Sequence, residues 1–264
     1  MNPIDLNCDM GELPEAIEDA TQEELLRFVT SANIACGGHA GDAQTMRATI
    51  EQCLRANVAI GAHPGYEDPA NFGRRELQLS LEEVAASVHK QLLALSKIAD
   101  ACGARISHVK PHGALYNQAA HDTQLAAAIA EGVSRWLAAC SISQMQNNSM
   151  VLVGLATSPM LEIFQQAGFS TAAEAFADRR YEPDGALRSR KFKDALLHHP
   201  EDAAAQAVRI ATQRSVIAAN GAAIPLQAQT ICLHGDTPGA PRIAAAVRQA
   251  LQSAGVPVAP LLPL

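Results

Sequence analysis

The sequence predicts a (β/α) barrel-like fold of about seven parallel strands. Two observations carry this. Short β-type runs alternate with amphipathic helical patterns along all 264 residues, and six of the seven runs lead into segments that bear polar, chemistry-capable residues. The runs are Pro3–Cys8, Ser31–Cys36, Val58–His63, Ile106–Lys110, Met150–Ala156, Thr171–Phe176 and Gln229–His234. Regular alternation of strand and helix implies a parallel sheet. By itself it fits an open doubly wound sheet as well as a closed barrel. With no linker composition in sight, residues 1–264 read as one domain.

The helices between the runs are marked by their own signals. Thr21-Gln22-Glu23-Glu24 reads as a capping box ahead of Leu25, Phe28 and Val29. Asp42 suits the cap of a helix carrying Met46, Ile50, Cys53 and Leu54. Ser80-Leu81-Glu82-Glu83 is a further box, after which Leu81, Val84, Ala85, Val88, Leu92, Leu95 and Ala99 share one face until Gly103. Asp122 suits a helix carrying Leu125, Ile129, Val133 and Trp136. Pro159, Pro200 and Pro241 suit first helical positions, and Gly168, Gly221 and Gly255 suit helix ends. Gln144–Ser149 reads as a polar loop, and Asp178–Lys193 as a charged excursion after the sixth strand.

Composition excludes several classes. Hydrophobic residues make up 48% and charged residues 18%, a globular profile. A net charge of −7 argues against extended nucleic-acid binding, which needs a basic surface. No apolar run reaches the roughly 20 residues of a membrane span. The N-terminal residues lack a basic and an apolar region of a secretory signal, so a cytoplasmic location is expected. Six scattered cysteines without a CxxC pair then read as reduced thiols.

Chemistry-bearing residues follow the strands. The first run leads into Asn7, Asp9, Gly11 and Glu12; the second into Asn33, His39 and Asp42; the third into His63. The fourth leads into Lys110 and His112, the sixth into Glu174, Asp178, Arg179 and Arg180, and the seventh into His234 and Asp236. In a parallel barrel the C-terminal strand ends converge on one mouth, where active sites of such barrels lie. A lone histidine near a strand end is more often structural, but His39, His63, His112 and His234 share a Gly/Pro-flanked context and read as a group. His89, His108, His121, His198 and His199 read as structural. Asp42 reads as a helix cap, and Asp5 fits the barrel floor. A lysine such as Lys110 within an apolar strand is costly to bury without a partner, which favours a site role. Arg179-Arg180 fits a surface pair or an anion clamp equally, and Arg74-Arg75 is similar but weaker.

Two chemistries suit this mouth. His39, His63, His112 and His234 with Asp9, Glu12 and Asp236 fit a divalent metal that activates water. The same carboxylate–histidine pairs fit metal-free acid–base catalysis. There is no HExxH, no GxxxxGK[ST], no kinase glycine-loop set and no GxSxG, so any use of ATP does not go through a P-loop in this chain.

Taken in order, the segments resemble the LamB/YcsF family. The matching stretches are Asp5–Glu12, Ser31–Asp42, Ile60–Gly65, Phe72–Arg75, Val109–Asn117, Glu174–Tyr181 and Cys232–Asp236. Departures are Leu13-Pro14-Glu15 where the family continues Gly-Phe-Gly after Gly-Glu, and Asn71 where it favours Gly. The resemblance implies a barrel related to glycoside hydrolase and deacetylase folds. It also implies ATP-dependent opening of 5-oxo-L-proline to L-glutamate by a 5-oxoprolinase of which this chain would be the A component, working with partner subunits B and C. On that basis Asp9, His63, Lys110 and His112 are expected to be catalytic: Asp9 or His112 as general base, Lys110 and His63 as stabilisers of oxyanion or phosphate charge. Asn7, Glu12, Asn33, His39, Arg179, Arg180, His234 and Asp236 are expected to bind substrate, with an arginine on its carboxylate. ATP is expected to act through the complex, and a divalent metal stays open. The alternatives are a stand-alone metal-dependent amidase or deacetylase, and a non-catalytic substrate-binding subunit.

Overall fold

The computed structural model describes residues 2–140 and 150–262. Seven parallel strands close into a barrel: β1 (Asp5–Met10), β2 (Ser31–Ala35), β3 (Ala59–His63), β4 (Ile106–Val109), β5 (Val151–Leu155), β6 (Ser170–Phe176) and β9 (Thr230–Leu233), the last pairing with both β6 and β1. The seven expected strands are all present, each within two residues of its expected bounds. The polar stretch Gln144–Ser149 lies outside the described residues.

Helices wrap the barrel: α1 (Pro14–Glu18), α2 (Thr21–Leu26), α3 (Ala43–Ala56), α4 (Leu81–Ala101), α5 (Gly113–Ala119), α6 (Thr123–Ala139), α7 (Met160–Gln166), α8 (Pro200–Gln213) and α9 (Ala240–Ser253). Asp42 caps α3 by accepting from the Gln44 and Thr45 amides, and Ser80 caps α4 in a reciprocal box with Glu83. Asp122 likewise accepts from the Gln124 and Leu125 amides at the start of α6. The packed faces of α4 and α6 meet over Val88, Leu92, Leu95, Ile129, Val133 and Trp136, all nearly inaccessible to solvent.

Four local expectations are corrected. Thr21 is the first residue of α2 rather than its cap; Ala20 holds the cap position in a left-handed conformation, and Asp19 accepts from the Thr21 amide. Leu81 is 43% exposed and does not share the buried face of α4, which begins at Val84. Pro159 is the cap residue of α7 instead of its first turn. Gly221 ends no helix: it sits with φ 86° in the turn of an unexpected hairpin, β7 (Ser215–Ile217) with β8 (Ala223–Pro225).

The barrel lumen is polar. Asp9, Asn33, Gly61 and His108 lie side by side across β1 to β4. Gly61 is required there, since a Cβ on it would fall 2.1 Å from His108 Nε2. Below, Asp5 accepts from the hydroxyls of Thr30, Ser31 and Thr230 at 2.6, 2.7 and 2.5 Å, and so ties β1 to β2 and β9 at the floor. Buried polar groups are costly unless hydrogen-bonded, and the floor carboxylate of Asp5 meets that requirement through these three hydroxyls.

Candidate active site

At the C-terminal mouth of the barrel opens a cavity of about 880 Å³ whose lining includes Asp9, Glu12, His63, Lys110, His112, Arg179, His234 and Asp236. These eight expected site residues therefore come together. Asn7 and Asn33 lie beneath the cavity as supports. Asn7 Nδ2 donates to Glu174 Oε1 (2.9 Å) and Thr230 Oγ1 (2.7 Å), while Asn33 Nδ2 donates to Asn7 Oδ1 and Asp9 Oδ1, both at 2.8 Å. His39 lies behind His112, the two rings stacked at 3.6 Å with 5° between their planes. Arg180 is not among the residues lining the cavity; its amide donates to the Ala195 carbonyl at 2.9 Å.

Lys110 is the hub of the lumen. Its Nζ lies 2.9 Å from Asp9 Oδ1, 3.0 Å from Glu174 Oε1, 3.3 Å from Asn7 Oδ1 and 3.1 Å from Cys232 Sγ. Burial works to lower the Lys110 pKa, but the carboxylates of Asp9 and Glu174 outweigh it and hold the ammonium well above its ordinary range. Burial works to raise the Asp9 pKa; His63 and Lys110 outweigh it and hold the carboxyl well below the usual range. Asp9 is thus an ionised carboxylate facing the cavity. Burial pushes the Cys8 and Cys232 thiols well above their ordinary range, which removes both as thiolate nucleophiles.

Across the cavity, Asp178 supports His234. Asp178 Oδ1 and Oδ2 lie 2.9 and 3.1 Å from His234 Nδ1, and the His234 amide donates to Oδ2 at 3.0 Å. Burial alone would raise the Asp178 pKa, but His234 lowers it on balance. An ionised carboxylate accepts only. His234 Nδ1 therefore carries the proton, and Nε2 is the atom left for acid–base exchange. Phe176 stacks on the same ring at 5.6 Å.

Next to Asp9 lies a cluster of Glu12, His39, His63 and His112, whose donor atoms all fall within 4.8 Å of one another. Burial lowers the His39 pKa to about 4 despite its hydrogen bond with Glu12, and burial lowers that of His112 too. This cluster is where a metal could be held. The rim is basic: Arg74 and Arg190 both pair with Asp236, the latter at 3.2 Å, and Arg75 and Lys191 line the same opening. Burial, then the neighbouring Arg190 charge, lowers the Arg179 pKa to about 10. Arg179 Nη2 donates to the Arg188 carbonyl at 2.8 Å, while its buried Nε has no hydrogen-bond partner among the described residues.

Sequence reasoning gave Glu174, His108 and Asp178 no role in the site: Glu174 and Asp178 stood unassigned in the sixth segment, and His108 read as structural. Glu174 and His108 sit mid-strand, where the lumen-facing period of two was the available signal: His108 is two residues before Lys110, and Glu174 two before Phe176. Asp178 was visible in the sixth segment, but without its partner His234 nothing in one sequence distinguishes it.

The LamB/YcsF family model matches residues 4–264. The chain is 48% identical over 258 residues to the A subunit of 5-oxoprolinase from Chloroflexus aggregans, covering 98% of each chain. It is 43% identical over 255 residues to that of Acinetobacter baylyi, covering 97% of this chain and 96% of the relative. A solved structure, the lactam utilization protein from Thermus thermophilus, superposes with a TM-score of 0.86 at 38% identity, covering 98% of this chain and 99% of that one. With its motifs gathered at one barrel mouth and its whole length matched, the chain belongs to the LamB/YcsF family.

Proposed function

We propose that this chain is the lactam-handling subunit of a cytoplasmic, ATP-dependent 5-oxoprolinase, opening 5-oxo-L-proline to L-glutamate with partner subunits B and C. The observation that carries the reading is similarity along nearly the full chain, at 48% identity, to a protein named as the A subunit of 5-oxoprolinase. The cavity chemistry supports it. A lactam amide is unreactive, so its carbonyl must be activated. ATP turned over on the partners would supply that activation as a phosphorylated, imidate-like ring.

The residues here suit the hydrolytic half. Asp9, ionised and facing the cavity, takes a proton from the attacking water. His234, held at Nδ1 by Asp178, enters the step with a second proton on Nε2 and gives it to the ring nitrogen as the C–N bond breaks; the γ-glutamyl phosphate left behind is hydrolysed by a second water to L-glutamate and phosphate. Arg179 takes the substrate carboxylate on its inner edge. Lys110 has all its protons directed at internal acceptors. In this reading it keeps Asp9 ionised and in place, instead of meeting the oxyanion as the sequence led us to expect. The basic rim of Arg74, Arg75, Arg190 and Lys191 suits an anionic, phosphorylated intermediate.

The test is glutamate release from 5-oxo-L-proline, measured with the chain alone and mixed with its two partners, with and without ATP. Release only in the complete mixture with ATP supports the reading. Release by the chain alone, without ATP, makes it a stand-alone amidase. Full turnover of the complex with Asp9→Asn would leave this chain a binding subunit.

A further inference from the structure

The histidines beside Asp9 contain an arrangement that the hydrolytic roles above do not use. His63 Nδ1 lies 2.7 Å from the Lys110 carbonyl, and His112 Nε2 lies 2.9 Å from the Phe72 carbonyl. A carbonyl oxygen only accepts, so each of these nitrogens carries a proton. With each ring carrying that one proton, the other nitrogen, His63 Nε2 and His112 Nδ1, presents a lone pair. These two lone-pair nitrogens face one another at 2.9 Å. Glu12 Oε1 lies 3.3 Å from His112 Nδ1 and 3.9 Å from His63 Nε2, and Asp9 Oδ2 lies 3.3 Å from His63 Nε2. Three acceptor atoms, Glu12 Oε1, His63 Nε2 and His112 Nδ1, thus converge on one point that requires a positive charge, with Asp9 Oδ2 beside His63.

The rings are aimed there by fixed structure. His39 Nε2 lies 2.9 Å from Glu12 Oε1 and holds that carboxylate, while the His39 ring stacks on His112. Gly73, with φ 60°, leaves room for the stack: a Cβ on it would fall 2.6 Å from His39 Cβ and 2.9 Å from His112 Cδ2. Phe72, at φ 53°, turns its carbonyl onto His112 Nε2 in a conformation uncommon for a non-glycine residue. Histidine ligands whose outer N–H is tied to a backbone carbonyl are the usual second layer of a metal centre.

The geometry points to a site for one divalent transition-metal ion, of the zinc class, held by Glu12 Oε1, His63 Nε2 and His112 Nδ1, with His39 as the positioning residue for Glu12. Two imidazoles and one carboxylate form a three-ligand set that leaves coordination open for water or substrate. All three ligand side chains line the cavity, so an ion there would act as a Lewis acid on the cavity's contents.

The test uses the full chain alone, freed of metal by chelator and titrated with Zn²⁺ and with Mn²⁺ by calorimetry, with metal content and melting temperature measured in parallel. Neither lactam, ATP nor partners take part, so its failure leaves the proposed function untouched. The expected result is one ion per chain with a Kd below about 1 µM and a raised melting temperature. Glu12→Gln, His63→Asn and His112→Asn should each weaken binding by at least about tenfold, and His121→Asn, an exposed histidine outside the cluster, should not. Metal-free melting of each variant identifies those that remain folded. Absence of saturable binding to the native chain overturns the site. So does binding unchanged in the folded ligand variants, which would mean adventitious metal; the facing imidazoles would then share a proton.

Discussion

The Lys110 ammonium lies 2.9 Å from Asp9 Oδ1 and almost fully out of solvent, so the carboxylate that faces the cavity is held ionised from below by a charge that cannot move away. Glu174 Oε1, 3.0 Å from the same Nζ, completes a buried triad. Removing the central charge leaves two carboxylates uncompensated.

Lys110→Met should therefore destabilise the fold by about 3–5 kcal/mol, read from urea denaturation. Adding Asp9→Asn and Glu174→Gln to that variant should return part of the loss, because the groups are coupled. A loss under about 1 kcal/mol, the range of exposed pairs, would contradict the triad. Normal turnover by Lys110→Ala in the reconstituted complex would remove Lys110 from the function altogether.

The Asp178–His234 pair makes a separate prediction. Asp178→Asn keeps the size of the side chain but ends its role as acceptor-only partner, so His234 loses its fixed tautomer. We expect kcat of the complex to fall by about 10²- to 10⁴-fold, with KM little changed because substrate contacts stay in place. Steady-state kinetics check it; a rise in KM at constant kcat would make the pair a binding element.

Much of this was legible in the sequence, for physical reasons. A parallel barrel forces each strand to be a short apolar run and each C-terminal end to face one mouth, so position along the chain predicts position in space for Asp9, His63, Lys110, His112 and His234. Caps at Asp42 and Ser80 were readable because they are local. The lumen was not: Glu174 and His108 gain meaning only from partners on other strands, Asn7 and Lys110 for one, Asn33 for the other. The hairpin was missed although Asn220-Gly221 is a turn dipeptide, because its three-residue strands carry too little pattern to outweigh a glycine read as a helix stop.

Gly61 tests the lumen sterically. The Cβ of Gly61→Ala would meet His108 Nε2, which is itself 2.8 Å from Asn33 Oδ1. The ring is held at both nitrogens, by Asn33 and by the Ser107 hydroxyl at 2.8 Å, so overpacking should cost about 1–3 kcal/mol or more. Gly61→Ala with the native melting temperature would show that the ring shifts freely.

His108 also sets an acid dependence. Burial, then the Lys110 charge, lowers its pKa to about 3, against the ordinary value of 6.5. Above about pH 6.5 the imidazole is neutral folded or unfolded and contributes no slope. Below it, the unfolded chain takes up a proton that the folded chain refuses, so stability falls as pH drops until the folded pKa is reached. The slope from this one group is about 1.4 kcal/mol per pH unit well inside that window. His108→Gln, which can still donate to Asn33, should flatten the fall by roughly that slope, measured by denaturation at several pH values. An unchanged slope would mean that His108 is protonated in the fold.

Arg179 carries the substrate prediction. Its Nη2 is tied to the Arg188 carbonyl, while its buried Nε has no partner among the described residues. That edge of a planar guanidinium matches a carboxylate, which lysine cannot meet in the same way. Arg179→Lys keeps the charge but not the fork, so KM for 5-oxo-L-proline should rise by about tenfold or more, the equivalent of a lost charged hydrogen bond. The neutral analogue 2-pyrrolidinone, which lacks the carboxylate, should lose its disadvantage against 5-oxo-L-proline in the variant. If the variant instead discriminates between the two lactams as the native protein does, the carboxylate is held elsewhere on the basic rim, and Arg74 and Arg190 become the residues to change next.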